Sequence, residues 1–167
     1  IFIGTHLIPT MTGLRGSLVS SVGSNGYKAG FALLSLIGLV LIVMGKGDAE
    51  YVDLYEPPAW AMHVTGLLML LAIAAMASFI LKSSIRRITA HPMLWGVTFW
   101  SVGHLLANGD LASVSLFGSF LIYALLAMIS ANRCGATVSS EKITLMNNGI
   151  VLVVAALLYI TLMMFHA

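Results

Sequence analysis

The chain has 167 residues, of which 59% are hydrophobic and 8% are charged, and its formal net charge is +2. Soluble domains carry roughly 25% charged residues, so a soluble protein of this composition would leave too much apolar surface in water. The composition therefore indicates an integral membrane protein whose main partner is the lipid bilayer. The small net charge and the lack of a basic run or stacking motif exclude a nucleic-acid-binding protein. The single cysteine, Cys134, excludes an internal disulfide.

Six apolar segments predict the transmembrane helices, because a helix needs about 20 mostly apolar residues to cross a bilayer. The segments run from Ile1 to about Leu14, from about Ala29 to Gly45, from about Ala59 to Leu81, from Pro92 to about Ala107, from Leu111 to about Ala131, and from about Gly149 to Phe165. Since the first segment opens without a methionine, we expect the first helix to begin before Ile1. The fold class is then all-α: a polytopic transmembrane helical bundle of about six helices with short loops, forming one domain over residues 1–167.

Lysine and arginine are concentrated in alternate connections between these segments. The connections after segments one, three and five contain Arg15, Lys28, Lys82, Arg86, Arg87, Arg133 and Lys142. The other two connections contain only Lys46, together with most of the acidic residues. The positive-inside rule therefore places the basic loops in the cytoplasm and both chain ends on the outer side, with the bacterial inner membrane as the expected location.

Both ends of the fourth segment and the start of the fifth follow ordinary capping chemistry. Pro92 lies at a first-turn position, where its missing N–H costs nothing. Gly109 is expected to adopt the left-handed conformation that ends the fourth helix. Asp110 is then expected to cap the fifth helix, and the short turn makes the two helices antiparallel neighbours.

The five histidines differ in their expected depth in the membrane. With a rise of about 1.5 Å per residue, His104 lies about 18 Å from the cytoplasmic side, and His6 lies at a similar depth if the first helix continues past Pro9. His63 lies about 6 Å from the outer boundary and can join the same layer. His91 lies about 20 Å from His104 along the helix axis and is too far away to share a site.

Two histidines at one depth on different helices can bind several kinds of ligand. A zinc site usually has three or four protein ligands, and carboxylates are absent at that depth. Haem needs one or two axial ligands and an apolar slot, so His6 and His104 are candidate ligands of one haem iron. The alternatives are neutral histidines that are hydrogen-bonded within the helices, or an apolar ligand such as a quinone or a polyene.

One long stretch of the chain resembles the NnrU family of polytopic membrane proteins. It contains His91-Pro92-Met93-Leu94, Trp100, His104-Leu105-Leu106-Ala107-Asn108-Gly109-Asp110-Leu111-Ala112-Ser113 and Leu116-Phe117-Gly118-Ser119-Phe120. Further matches are Thr5-His6, Leu14-Arg15, Ser35-Leu36-Ile37-Gly38-Leu39 and Pro57-Pro58-Ala59-Trp60. The resemblance extends over nearly the whole chain and implies a link to nitrite and nitric oxide metabolism.

The NnrU family is similar to 15-cis-zeta-carotene isomerase, a membrane enzyme that contains haem b. The haem ligands of that enzyme align with positions matching His6 and His104, so the resemblance implies the same pair. The chain departs from the isomerase at Met93, where the isomerase has glutamine after His-Pro, and at the run 108–110. Carotene chemistry is therefore not transferred to this chain.

Three functions follow from these patterns. The first is a haem b protein with His6 and His104 as metal ligands, which acts in isomerase-like, redox or nitric-oxide-linked chemistry on a polyene or NO. In it, His63, Trp100 and Asn108 orient a ligand ring, and Arg15 reaches the interface or pairs with a haem propionate. The second is a non-catalytic accessory or assembly subunit of a larger membrane complex. The third is a transporter or a lipid-handling protein, which the lack of paired broken helices disfavours.

Overall fold

A computed structural model describes residues 1–166 of the chain, and these residues form seven α-helices and no β-strand. The prediction of an all-α protein is confirmed. The helices are α1 (Phe2–Leu7), α2 (Thr12–Gly47), α3 (Ala61–Leu81), α4 (Ile85–Ile88), α5 (Pro92–Ala107), α6 (Leu111–Arg133) and α7 (Leu145–His166). A short 3-10 helix over Ile8–Thr10 follows α1.

Four of these helices, within residues 1–166, are long and apolar enough to cross a membrane: α2, α3, α6 and α7. The number of about six transmembrane helices is not confirmed. The predicted first segment contains the six-residue α1, the 3-10 turn and the first residues of α2. The polar connection after it is helical and belongs to α2. Helix α5 has 16 residues, so it is about 24 Å long and shorter than a bilayer core of about 30 Å.

The chain forms two compact units, Ile1–Val52 and Asp53–Ala167. In the first unit, the long helix α2 is interrupted at Gly23, which has a φ of 75° and a ψ of 164°. Helix α1 packs against the second part of α2, where Phe2 lies against Gly38 so closely that a Cβ on this glycine would be 2.9 Å from the Phe2 backbone nitrogen. The prediction of a single domain over residues 1–167 stays a prediction.

In the second unit, α5 lies between α3 and α6, and α7 packs against α3. Small residues bring α3 and α5 together: a Cβ on Gly103 would be 2.7 Å from the Met69 side chain, and the Thr65 hydroxyl donates a hydrogen bond of 2.8 Å to the Gly103 carbonyl. Large apolar side chains are exposed on the faces of α3 and α7 that lie away from α5. Such exposure is expected for helix faces in contact with lipid.

The connections of the second unit gather at two ends of opposite charge. At the basic end, Lys82 and Glu141 form an ion pair of 2.9 Å, and Asn148 at the start of α7 accepts a hydrogen bond of 2.9 Å from the backbone N–H of Ser84. At the acidic end, the backbone N–H of Leu54 donates to the carbonyl of Gly109 at 2.8 Å. The alternation of basic and acidic connections in the sequence thus corresponds to two ends of this unit.

Candidate functional site

His6 lies at the end of α1 and is half-buried. Its Nδ1 is 2.8 Å from the carbonyl oxygen of Phe2, one turn earlier. Because a carbonyl oxygen only accepts, Nδ1 carries the proton and donates it. In the neutral ring, Nε2 then carries the lone pair with which an imidazole binds a metal. The ring also stacks on Phe2 at 4.1 Å and lies 5.0 Å from the ring of Phe31.

His104 lies in the last turn of α5 and has the same local geometry as His6. Its Nδ1 donates a hydrogen bond of 2.9 Å to the carbonyl of Trp100, again one turn earlier. The lone pair of the neutral ring is therefore again on Nε2. The ring stacks on Phe117 of α6, with a centroid distance of 4.4 Å and an angle of 27° between the planes.

Aromatic rings from α5 and α6 form a cluster around His104. Trp100 lies 5.3 Å from the His104 ring and contacts Phe117 and Phe120 edge-on at 4.9 and 5.2 Å. Edge-to-face contacts of this kind fix ring orientation, so the wall beside the imidazole is rigid and apolar. The buried hydroxyl of Ser101, one residue after Trp100, has no hydrogen-bond partner among the described residues.

Asn108 contacts the backbone of His104 rather than its ring. The Asn108 side-chain amide donates a hydrogen bond of 2.9 Å to the carbonyl of His104, and the Asn108 backbone N–H donates to the same oxygen at 2.9 Å. The backbone bond closes the last turn of α5, and the side-chain bond occupies the second lone pair of the same carbonyl oxygen. Asn108 therefore fixes the helix end that carries His104.

A strap formed by residues 53–58 covers the turn between α5 and α6. The Tyr55 hydroxyl shares its single proton between the carbonyls of Leu105 and Asn108, the latter at 2.9 Å. The N–H groups of Leu54 and Tyr55 donate to the carbonyl of Gly109 at 2.8 and 3.2 Å. The strap thus holds the end of α5 that follows His104.

The predicted left-handed conformation of Gly109 is wrong, since its φ is not positive. Glycine is required there because a Cβ would lie 1.7 Å from the carbonyl oxygen of Tyr55. The predicted cap is confirmed, because the Asp110 carboxylate accepts a hydrogen bond of 2.9 Å from the N–H of Ser113. The reason for the glycine is a contact with the distant strap, whereas the cap depends only on neighbouring residues.

Two further histidines of the second unit, the candidate His63 and the excluded His91, lie away from this cluster. His63 is exposed near the start of α3. It lies two residues, or about 200° of helix rotation, from Thr65, which faces α5, so the structure does not bring His63 to the rings around His104. His91 donates from Nε2 to the Asn132 side-chain oxygen at 2.7 Å, at the opposite end of α5 from His104.

Arg15 belongs to a cleft of the first unit with a volume of about 620 Å³. The residues that line this cleft are Pro9, Arg15, Tyr27, Lys28 and Phe31. Phe31 also contacts the ring of His6, so the cleft borders the rings around that histidine.

Several residues near the two histidines were not predicted as site residues. Phe2 could have been found, because residues four apart lie on one face of a helix and Phe2 and His6 have that spacing. Phe31, Phe117 and Tyr55 are distant in sequence from the histidines that they contact or support. For them the sequence gives no local signal.

No group of three or more histidine, cysteine, aspartate or glutamate side chains within the described residues could hold a metal ion. Each of the two histidines offers one imidazole nitrogen as a donor, and its hydrogen bond to a carbonyl fixes the tautomer. Such donors fit a cofactor that already supplies most of the ligands of its metal and needs one or two axial ligands.

Comparison with known proteins gives one family. The model of the NnrU protein family matches residues 1–167, which is the whole chain. No curated protein and no solved structure matches the chain. The match extends from the first to the last residue and confirms the resemblance carried by the histidine-containing stretch around α5: the chain belongs to the NnrU family.

Proposed function

We propose that this integral membrane protein binds haem b through His6 and His104 as the two axial ligands. Four apolar helices of spanning length support its location in a bilayer. The observation that carries the proposal is the shared geometry of the two imidazoles. In each ring Nδ1 donates to the carbonyl four residues earlier, and Nε2 carries the lone pair.

This hydrogen bond supports a ligand role for each histidine. Metal-binding histidines usually donate their second ring nitrogen to a carbonyl, a carboxylate or water, which fixes the tautomer and orients the ring. The carbonyls of Phe2 and Trp100 provide this acceptor here. The aromatic surroundings of the two rings and the family of the chain support the same role.

The aromatic surroundings of both histidines suit a flat, apolar macrocycle. His6 is stacked on Phe2, and His104 is stacked on Phe117 and lies near Trp100. The stacked ring covers one face of each imidazole with an apolar surface. The protein would thereby control ring orientation and solvent access, which are two of the properties that tune a haem.

When bound, haem b supplies an iron centre that can support redox, isomerisation or nitric oxide chemistry. The role of the protein is to supply two neutral imidazoles and an apolar wall. Asn108 and the strap hold the end of α5 that carries His104. The link to nitrite and nitric oxide metabolism, or to isomerase-like redox chemistry, is part of this proposal and comes from family resemblance.

The proposal includes a topology in the bacterial inner membrane. Its six passes include residues 1–14 and α5 in addition to the four long helices. The basic end of the second unit, with Lys82, Arg86 and Arg133, faces the cytoplasm, and both chain ends lie on the outer side. The charge difference between the two ends supports this orientation through the positive-inside rule.

The test is an absorbance spectrum of the full-length chain, produced with haem available and purified in detergent. We expect a Soret band that shifts on reduction, and a low-spin ferric signal in electron paramagnetic resonance. His6→Ala and His104→Ala should each lose most of the band or become high-spin. His91→Ala is the matched control, because it removes a histidine whose ring is bonded to Asn132, and it should keep the wild-type spectrum.

A wild-type chain without a Soret band, or loss of the band in His91→Ala to the same extent as in His104→Ala, would contradict the proposal. Co-purification with a large membrane complex in the absence of cofactor absorbance would instead favour the accessory subunit.

A further inference from the structure

The cleft of the first unit contains three polar or charged side chains, Arg15, Tyr27 and Lys28, that the two proposed axial histidines do not account for. It has a volume of about 620 Å³, which lies within the range of small-ligand sites. Two of its five lining residues, Arg15 and Lys28, are cationic, and two others, Pro9 and Phe31, are apolar. The fifth, Tyr27, is half-buried. The lining therefore combines positive charge with an apolar wall.

The two cations have no acidic partner nearby. Residues 1–47, which include α1 and α2, contain no aspartate or glutamate. Neither Arg15 nor Lys28 forms an ion pair with any residue that the structure describes. Both side chains are exposed, and two cations that share one cleft attract an anion, which can accept charge-assisted hydrogen bonds from both.

The hydroxyl of Tyr27 is an independent sign of a missing ligand. Its oxygen is buried and has no hydrogen-bond partner within residues 1–166. A buried hydroxyl without a partner is uncommon in proteins, and a phenolic hydroxyl readily donates to an anionic oxygen. Because Tyr27 and Lys28 line the same cleft, one anionic group can take up this donor together with the cations.

We infer that this cleft binds the phosphate headgroup of an anionic membrane lipid. Arg15 and Lys28 lie in the connection that the charge pattern assigns to the cytoplasmic interface, where anionic lipids attract basic side chains. The apolar side chains of Pro9 and Phe31 contact the glycerol and upper acyl carbons, and the cations and Tyr27 bind the phosphate oxygens. This inference rests on the proposed topology, but it does not require the proposed haem site.

The experiment uses the full-length chain, delipidated in detergent, and native mass spectrometry. Phosphatidylglycerol is titrated against phosphatidylcholine with the same acyl chains, and bound lipid is counted on the intact protein. We expect the protein to prefer phosphatidylglycerol. Arg15→Gln should weaken this binding about fivefold, the effect of roughly one favourable surface charge. Tyr27→Phe should weaken it severalfold with no change in net charge.

Lys142→Gln is the matched control, since it removes one positive charge in the connection between α6 and α7, outside the cleft. It should leave phosphatidylglycerol binding unchanged. Equal losses in Arg15→Gln and Lys142→Gln, or equal binding of the two lipids, would overturn the inference. Lost haem absorbance with unchanged lipid binding in Arg15→Gln would also overturn it, and would identify the anion as a haem propionate.

Discussion

Gly109→Ala tests whether the strap clamps the turn between α5 and α6. A Cβ at this position would lie 1.7 Å from the Tyr55 carbonyl oxygen, whereas real Cβ contacts are essentially never closer than 3.0 Å. The strap must therefore move by about 1.3 Å. A shift of this size breaks the bonds of 2.8 and 3.2 Å from the N–H groups of Leu54 and Tyr55 to the Gly109 carbonyl.

The expected cost follows from the hydrogen bonds that the movement removes. Besides the two backbone bonds, the Tyr55 hydroxyl loses its bond of 2.9 Å to the Asn108 carbonyl. At about 1 kcal/mol for each hydrogen bond, the three bonds give a loss of about 3 kcal/mol in the free energy of unfolding. Reversible unfolding of the purified protein in mixed micelles, followed by circular dichroism, measures this loss.

Gly118→Ala is the matched control for this substitution. A Cβ at Gly118 meets no atom within 4 Å, and the residue lies inside α6. Alanine there should leave stability unchanged or raise it by about 0.5–1 kcal/mol through its higher helix propensity. If Gly109→Ala is as stable as Gly118→Ala, the strap does not hold the turn in the way described.

Three further measurements test other contacts of the second unit. Thr65→Val should lower the free energy of unfolding by about 1 kcal/mol, because it removes the bond to the Gly103 carbonyl between α3 and α5. Ser101→Ala should leave stability unchanged or raise it, because the buried hydroxyl that it removes has no partner among the described residues; a clear loss would contradict this. The hydrogen bond and the charge of Lys82 lower the pKa of the Glu141 carboxyl below its ordinary value of 4.5. The ion pair is therefore fully formed above pH 4.5 and is lost as the pH falls through the lowered pKa. Carbon NMR should find this lowered pKa in the wild type and a value near the ordinary one in Lys82→Met, and equal values in the two proteins would refute the pairing.

The sequence predicts those features of the fold that depend on neighbouring residues. Apolar length gives α3, α6 and α7 to within a few residues, and capping chemistry gives the start of α5 at Pro92 and the Asp110 cap. Both depend on backbone geometry over three or four residues, which side-chain type controls directly.

The helical conformation of residues 12–28 was not predictable from neighbouring residues. This stretch is rich in glycine and serine, which have low helix propensity, and it reads as a connection between two membrane helices. In the structure it is helical and continuous with the apolar part of α2, with a single break at Gly23. Propensity is a weak signal that structural context overrides, so composition alone gives the wrong boundary.

The contacts of the candidate site are also of two kinds, those that helix geometry predicts and those between distant segments. Trp100, His104 and Asn108 are four residues apart, so their position along one side of α5 follows from helix geometry. Phe117 comes from the neighbouring helix, and Tyr55 lies 53 residues before Asn108. Contacts of this kind arise from the packing of distant segments and leave no periodic pattern in the sequence.

The bond from His104 Nδ1 to the Trp100 carbonyl fixes the direction of the imidazole relative to the backbone of α5. One residue inserted between these two positions would swing the imidazole by about 100° around the axis while leaving the hydropathy of the segment almost untouched. The backbone bond would survive, because the new residue four positions earlier also has a carbonyl, but the imidazole would leave the side of α5 that carries Trp100 and should lose its stacking on Phe117.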